Sequence, residues 1–203
     1  MIGIVDYGMG NISSVYNSLD YLGCEATIIN SPEEIEGLTH LIIPGVGSFR
    51  QAMQNLEDKK FITPILNHVK NKKPLLGICL GMQLLATKGY EHGETNGLGL
   101  IEGEIIPFEI KLHVPHVGWN NINTLKKHPV VGNNVNQVDF YFVHSYYFNV
   151  KNREDILTMT EYEISFPSIV AKDNIIGIQF HPEKSQEPGL NLLEAFCEWD
   201  GKC

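Results

Sequence analysis

Leu76-Gly77-Ile78-Cys79-Leu80-Gly81-Met82-Gln83 is the stretch on which the fold of this chain turns. A cysteine stands between two glycines, after a short apolar run and before a helix-like segment. The pattern predicts a strand, a sharp turn and a helix. Glycines let a backbone turn tightly without a Cβ clash. Such a turn lifts a side chain off the end of a sheet, as the serine nucleophile elbow does. The N–H groups that open the following helix favour an anion, so a thiol there is expected to ionise readily. A reactive thiol also needs a base, an orienting carboxylate and an oxyanion hole, which the rest of the chain must supply.

Outward from the elbow, strands and helices alternate. Met1 to Tyr7, Ala26 to Ile29, Leu41 to Ile43 and Pro74 to Ile78 read as strands. Asn11 to Leu22 carries Ile12, Val15, Tyr16 and Leu19 at helical spacing. Ser31-Pro32-Glu33-Glu34 spells a helix start. Ser48 to Leu56 and Ile62 to Asn71 are further helices. This order predicts an α/β fold with a mostly parallel central sheet flanked by helices, and with extra antiparallel strands in the second half. The second half is richer in strands: Leu100 to Pro107, Gly118 to Asn123, Val138 to Val143, Ile156 to Tyr162, Ser168 to Ala171 and Ile175 to Phe180. A closing helix is expected from Leu190 to Trp199. With no repeat, low-complexity tract or linker, residues 1–203 read as one domain.

Composition limits the function classes. A chain of 203 residues, 43% hydrophobic and 19% charged, can bury a sizeable core. A net charge of −9 without a Lys/Arg cluster argues against a nucleic-acid surface. No apolar run approaches membrane-spanning length, and Met1 opens directly into Ile2-Gly3-Ile4-Val5, so no signal peptide is expected. Cys24, Cys79, Cys197 and Cys203 form no CxxC pair, which suggests the reducing cytoplasm and neither a zinc site nor a redox motif. Cys24 and Cys197 read as inert core thiols and Cys203 as uninformative. His113-x-x-His116 reads as a turn with exposed histidines, because no companion ligand has metal-site spacing. Gly8-x-Gly10 lacks the third glycine and the lysine of nucleotide loops, so it reads as the turn into the first helix. No metal or cofactor is expected.

The base is found at Phe180-His181-Pro182-Glu183, directly after the apolar strand Ile175 to Gln179. Ligands of parallel α/β sheets bind beyond the carboxyl ends of strands, and Cys79 and His181 each follow such a strand. His181 can take the thiol proton, and Glu183 can fix its tautomer. Leu80, the residue after the nucleophile, would offer one oxyanion N–H. Pro44-Gly45-Val46-Gly47 ends another buried strand and could offer a second.

These residues also carry a resemblance. Gly77 to Gln83 together with His181-Pro182-Glu183 resembles the class I, triad-type glutamine amidotransferases. Asp6-Tyr7-Gly8-Met9-Gly10-Asn11, Pro44 to Gly47, Pro115-His116-Val117-Gly118-Trp119-Asn120 and Phe142-Val143-His144-Ser145-Tyr146 narrow the likeness to the glutaminase subunits of imidazole glycerol phosphate synthase. The likeness runs in order from Met1 into the closing helix. It implies a glutaminase with Cys79, His181 and Glu183 as triad and Gly45, Val46, Gly47 and Leu80 around the oxyanion. Glutamine would be held by Gln83, Glu91, His144, Ser145 and Tyr146, with Glu94 as a competitor for the place of Glu91. It further implies a heterodimer with a (βα)₈-barrel synthase, which consumes the ammonia in histidine biosynthesis. Asn11, Trp119, Asn120 and Lys184 would lie near that partner, and activity without it should be very low. The alternative within the same chemistry is a subunit that feeds amidation of a surface-polysaccharide sugar. A silent partner-binding subunit and a thiol hydrolase or peptidase are the readings from other classes.

Overall fold

β1 (Ile2–Val5), β4 (Leu75–Cys79) and β14 (Ile175–Ile178) are buried along their whole length. That is why their apolar runs do not alternate: both faces of the sheet are covered. The structure, a computed structural model, describes residues 1–132 and 135–202; Cys203 lies outside the described residues. The first half runs β1, α1 (Ile12–Tyr21), β2 (Ala26–Ile29), β3 (His40–Gly45), α2 (Phe49–Asp58), α3 (Ile62–Lys70), β4 and α4 (Leu80–Leu84). Ser31 to Glu34, expected to start a helix, forms a capping box on a single 3-10 turn, Pro32–Ile35.

The second half contributes β5 (Lys88–Gly89), β6 (Thr95–Asn96), β7 (Gly103–Pro107), β8 (His116–Asn121), β9 (Asn123–Thr124), β10 (Asp139–His144), β11 (Tyr146–Val150), β12 (Ile156–Tyr162), β13 (Ile164–Lys172), β14 and α5 (Gln186–Glu198). The main sheet has the order β2-β1-β3-β4-β14-β13-β12-β9. Strands β2 to β14 in that order are parallel neighbours, and β14 to β9 are antiparallel. The sheet is therefore mixed, with the antiparallel strands expected of the second half along one side. Its antiparallel half follows from tight turns with Glu163 (φ 60°) and Asp173 (φ 52°) in the left-handed region, which join neighbouring strands without a crossover helix. Two smaller sheets flank it, β10-β8 and β11-β7-β5-β6.

Period-two alternation splits the core between the two faces. Leu76 and Ile78 point to one side, with Val15 and Leu19 of α1 and Leu192, Leu193 and Phe196 of α5. Leu75 points to the other, with Phe49 and Leu56 of α2, Ile65 of α3 and Met82 of α4. Helix α5 starts four residues before the sequence suggested. On the first face Phe180 is fully buried and stacks on Phe140 with ring centroids 4.1 Å apart. Losing such a ring costs about 3–5 kcal/mol, so the segment leading into His181 is firmly pinned to β10.

Candidate active site

The turn between β4 and α4 is built differently from the expectation. The left-handed residue is Cys79 itself, at φ 54° and ψ −110°, while neither flanking glycine has positive φ. The glycines serve close approach instead. A Cβ on Gly77 would stand 2.5 Å from the Gly81 carbonyl oxygen, and one on Gly81 would collide with the Ile43 carbonyl oxygen. The elbow thus lies flat on β3, where Gly45 is the register partner of Cys79. Helix α4 has only five residues, so few peptide dipoles line up behind the thiol and the helix contributes little charge there.

β14 is the parallel neighbour of β4, with Ile178 opposite Ile78. His181 therefore comes off the same sheet end as Cys79, one strand away. Its backbone N–H donates to the Tyr141 carbonyl at 2.9 Å, and its carbonyl accepts from Ser185 Oγ at 2.6 Å. His181 Nδ1 lies 2.9 Å from Glu183 Oε1, with the two side chains 4% and 1% exposed. A carboxylate only accepts, so Nδ1 carries hydrogen and Nε2 is left for the Cys79 side chain, the other hydrogen-bond partner. Burial alone would lower the His181 pKa. Hydrogen bonds and negative charge from Cys79 and Glu183 outweigh it and push the group up to about 10. A proton leaving Sγ has a prepared destination.

Gln179 is a site residue that the sequence did not single out. Fully buried just before Phe180, it donates from Nε2 to Cys79 Sγ at 4.0 Å and accepts from Gln83 Nε2 at 3.2 Å. Tyr7 is another: its hydroxyl donates to the Pro44 carbonyl at 2.8 Å, at the root of the Pro44 to Gly47 turn. Burial, with the Cys79 charge adding to it, pushes the Tyr7 phenol far above its usual range, so it stays a donor.

Cys79 and His181 open into a cleft of about 310 Å³. Val46, Gly47, Leu80, Gln83, Glu91 and Val143 to Tyr146 line its wall. Gly47 takes φ +110°, while Gly45 stands back from the cleft against the Tyr7 hydroxyl. Glu91 Oε2 accepts from the Phe49 N–H at 2.7 Å and so caps α2 from across the cleft. Glu94 instead pairs with Lys88 at 3.4 Å on the surface. Gln83 Nε2 also donates to the Tyr146 carbonyl at 3.0 Å. His144 lines the same wall, but both of its ring nitrogens are engaged elsewhere. His116 is buried against it rather than exposed, because β8 starts there and turns its ring inward onto Phe142 and Tyr162. Among the described residues no group of three His, Cys, Asp or Glu side chains could hold a metal ion.

Of the four residues expected near a partner, Lys184 lines the cleft and the other three do not. Lys184 lines the cleft mouth with Pro115. Trp119, 49% exposed, rests only its edge on Tyr141, with centroids 6.0 Å apart. Asn120 donates to the Glu161 carbonyl at 3.0 Å. Asn11, at the start of α1, accepts from Ser14 Oγ at 2.8 Å and lies outside the cleft wall.

A thiol on a strained turn, a buried base held by a carboxylate and a mixed α/β sheet together define a class. The family described as "Glutamine amidotransferase class-I" matches residues 3–198, and this chain belongs to it. It is a glutamine amidotransferase with a catalytic cysteine. Among relatives, "Imidazole glycerol phosphate synthase subunit HisH" of Desulfitobacterium hafniense (strain DSM 10664 / DCB-2) is 45% identical over 199 residues, covering 98% of this chain and 94% of the relative. "Imidazole glycerol phosphate synthase subunit HisH 2" of Methanococcus maripaludis is 48% identical over 200 residues, covering 97% of this chain and 98% of the relative. The fold is shared with the solved "Structure of PurLQS from Thermotoga maritima", at TM-score 0.77 and 16% identity over 97% of each chain.

Proposed function

We propose that this chain is the glutaminase subunit of an imidazole glycerol phosphate synthase. It would hydrolyse glutamine to glutamate and hand the ammonia to a (βα)₈-barrel synthase for histidine biosynthesis. The observation that carries the chemistry is the thiol, base and carboxylate at the ends of neighbouring parallel strands, opening into one small cleft. Cys79 Sγ, its proton already passed to His181, attacks the side-chain carbonyl carbon of glutamine. The tetrahedral oxyanion is met by the Leu80 N–H and a donor from the Val46–Gly47 turn. His181 returns the proton to the leaving nitrogen, so the C–N bond breaks to give ammonia and a glutamyl thioester. Water, deprotonated by His181, then cleaves the thioester to glutamate and regenerates the thiol. Gln83, Glu91 and the Ser145–Tyr146 backbone hold the substrate.

The partner reading rests on the cleft rim. Val46 and Pro115 line the cleft, and Val46, Val114, Val117 and Trp119, the last three on the segment around Pro115, are exposed apolar residues. A rim of that character suits a docking face that seals the cleft and captures ammonia. Asn11, Asn120 and Lys184 would add polar contacts. We assign the chain to the cytoplasm, where such a partner works; no helix among the described residues is long and apolar enough to cross a membrane.

The test is glutamate release by the purified chain with and without a barrel synthase subunit from the same genome. Strong stimulation by the barrel is expected, since completing one oxyanion donor is worth about 10²–10³-fold. Equal rates would overturn the partner reading. Rescue of a histidine auxotroph lacking this subunit separates the histidine pathway from amidation of a surface sugar.

A further inference from the structure

Among the histidines that the chemistry above does not use, two are buried against each other. His116 and His144 are 3% and 6% exposed and are register partners across β8 and β10. Their nitrogens form a single line. Asn120 Nδ2 lies 3.3 Å from His116 Nε2, His116 Nδ1 lies 3.0 Å from His144 Nε2, and His144 Nδ1 lies 2.9 Å from the Tyr146 carbonyl oxygen.

The direction of this line is fixed at both ends. A carbonyl oxygen only accepts, so His144 Nδ1 carries hydrogen and its Nε2 is the acceptor. His116 must then donate from Nδ1 and accept at Nε2. At the far end the Asn120 amide cannot be reversed, because its Nδ2 also donates to the Glu161 carbonyl and its Oδ1 accepts from the Asn121 N–H at 2.9 Å. Burial pushes His116 down to about 4 and His144 down to about 3, so both rings stay neutral in ordinary buffers. Stacking holds the His116 ring in plane, 4.0 Å from Tyr162 and 5.0 Å from Phe142.

Both termini of the line fall at functional places. The Tyr146 carbonyl is also the acceptor for Gln83 and belongs to the cleft wall. Asn120 adjoins the exposed Trp119 on β8. We propose that Asn120, His116 and His144 form a one-way hydrogen-bond relay from the partner-facing strand to the Tyr146 carbonyl. In it His116 and His144 are positioning residues that keep the glutamine site in its binding geometry. The inference rests on the function proposed above.

The test measures glutamate release against glutamine concentration in the complex with the barrel subunit, at saturating barrel so that weaker docking does not enter. His116→Phe keeps the ring and its stacking but leaves His144 Nε2 without a donor. It should raise the glutamine KM about tenfold with kcat held within about twofold. His116→Asn, whose amide can donate where Nδ1 did, should recover most of that rise. Asn120→Leu should raise KM about threefold. A merely structural role would lower kcat through loss of active enzyme and leave KM alone, and that result overturns the relay. So does an unchanged KM in His116→Phe, or equal impairment by the Phe and Asn variants. If His116→Phe fails to fold, unchanged KM in His116→Asn and Asn120→Leu together overturns it. A wild-type complex that releases no glutamate fails the proposed function itself, and the relay falls with it.

Discussion

His181 holds its proton because two buried neighbours, Cys79 and Glu183, favour the charged ring more strongly than burial opposes it. With the folded group at about 10 and the ordinary value at 6.5, the folded state keeps a proton that the unfolded chain releases. That contribution is complete below about pH 6.5 and is lost as pH rises towards 10. The melting-temperature advantage of the wild type over His181→Gln should therefore shrink steadily across this window in thermal melts. A constant difference would mean that His181 is neutral in the fold. Glu183→Gln replaces an acceptor-only carboxylate by an amide that can also donate, so the ring's tautomer is no longer fixed. Turnover of glutamine by the complex should fall roughly 10²–10⁴-fold with little change in KM, as steady-state assays can show.

The elbow between β4 and α4 makes its demands on packing rather than on glycine's freedom of rotation. Gly81→Ala would drive a methyl into the Ile43 carbonyl of β3, and chemical denaturation should show a loss of about 3 kcal/mol or more. Gly23→Ala is the contrast. That glycine has φ +73° after the last turn of α1 and nothing within 4 Å of an added Cβ, so only backbone strain of about 1 kcal/mol is expected. Elements of this kind were legible in the sequence where the signal is local. The strand–Cys–helix stretch and His181-Pro182-Glu183 each occupy a few consecutive residues, and both reach the cleft. Gln179 and His116 were missed because their partners are set by pairing across strands. Gln179 meets Cys79 and Gln83 only because β14 lies beside β4. His116 meets His144 only through the β8–β10 register. β11 has no separate local signal, because Tyr146 follows β10 after one residue and the strand is defined by its pairing with β7. Glu91 and Glu94 are likewise told apart only by their surroundings in the fold: Glu91 lines the cleft and accepts from the Phe49 N–H, while Glu94 pairs with Lys88.

At the scale of the molecule, the parallel half of the main sheet leads into Cys79 and His181, and β10 and β11 bring Val143, His144 and Tyr146 to the same cleft. Trp119 on β8 has half its surface free. Trp119→Ala should leave the melting temperature unchanged, and weaken binding to the barrel subunit about 10–100-fold by calorimetry. Unchanged affinity would move the docking face elsewhere. Cys79 bends the chain in a region that an L-residue occupies only under strain. Glycine at 79 would relieve that strain, so Cys79→Gly should melt above Cys79→Ala while catalysing nothing. The nucleophile is thus a residue that selection for thermal robustness alone would discard. Heat-stabilising libraries screened only for solubility should drift towards inactive glycine at this position, and a screen for this protein must read turnover to keep it.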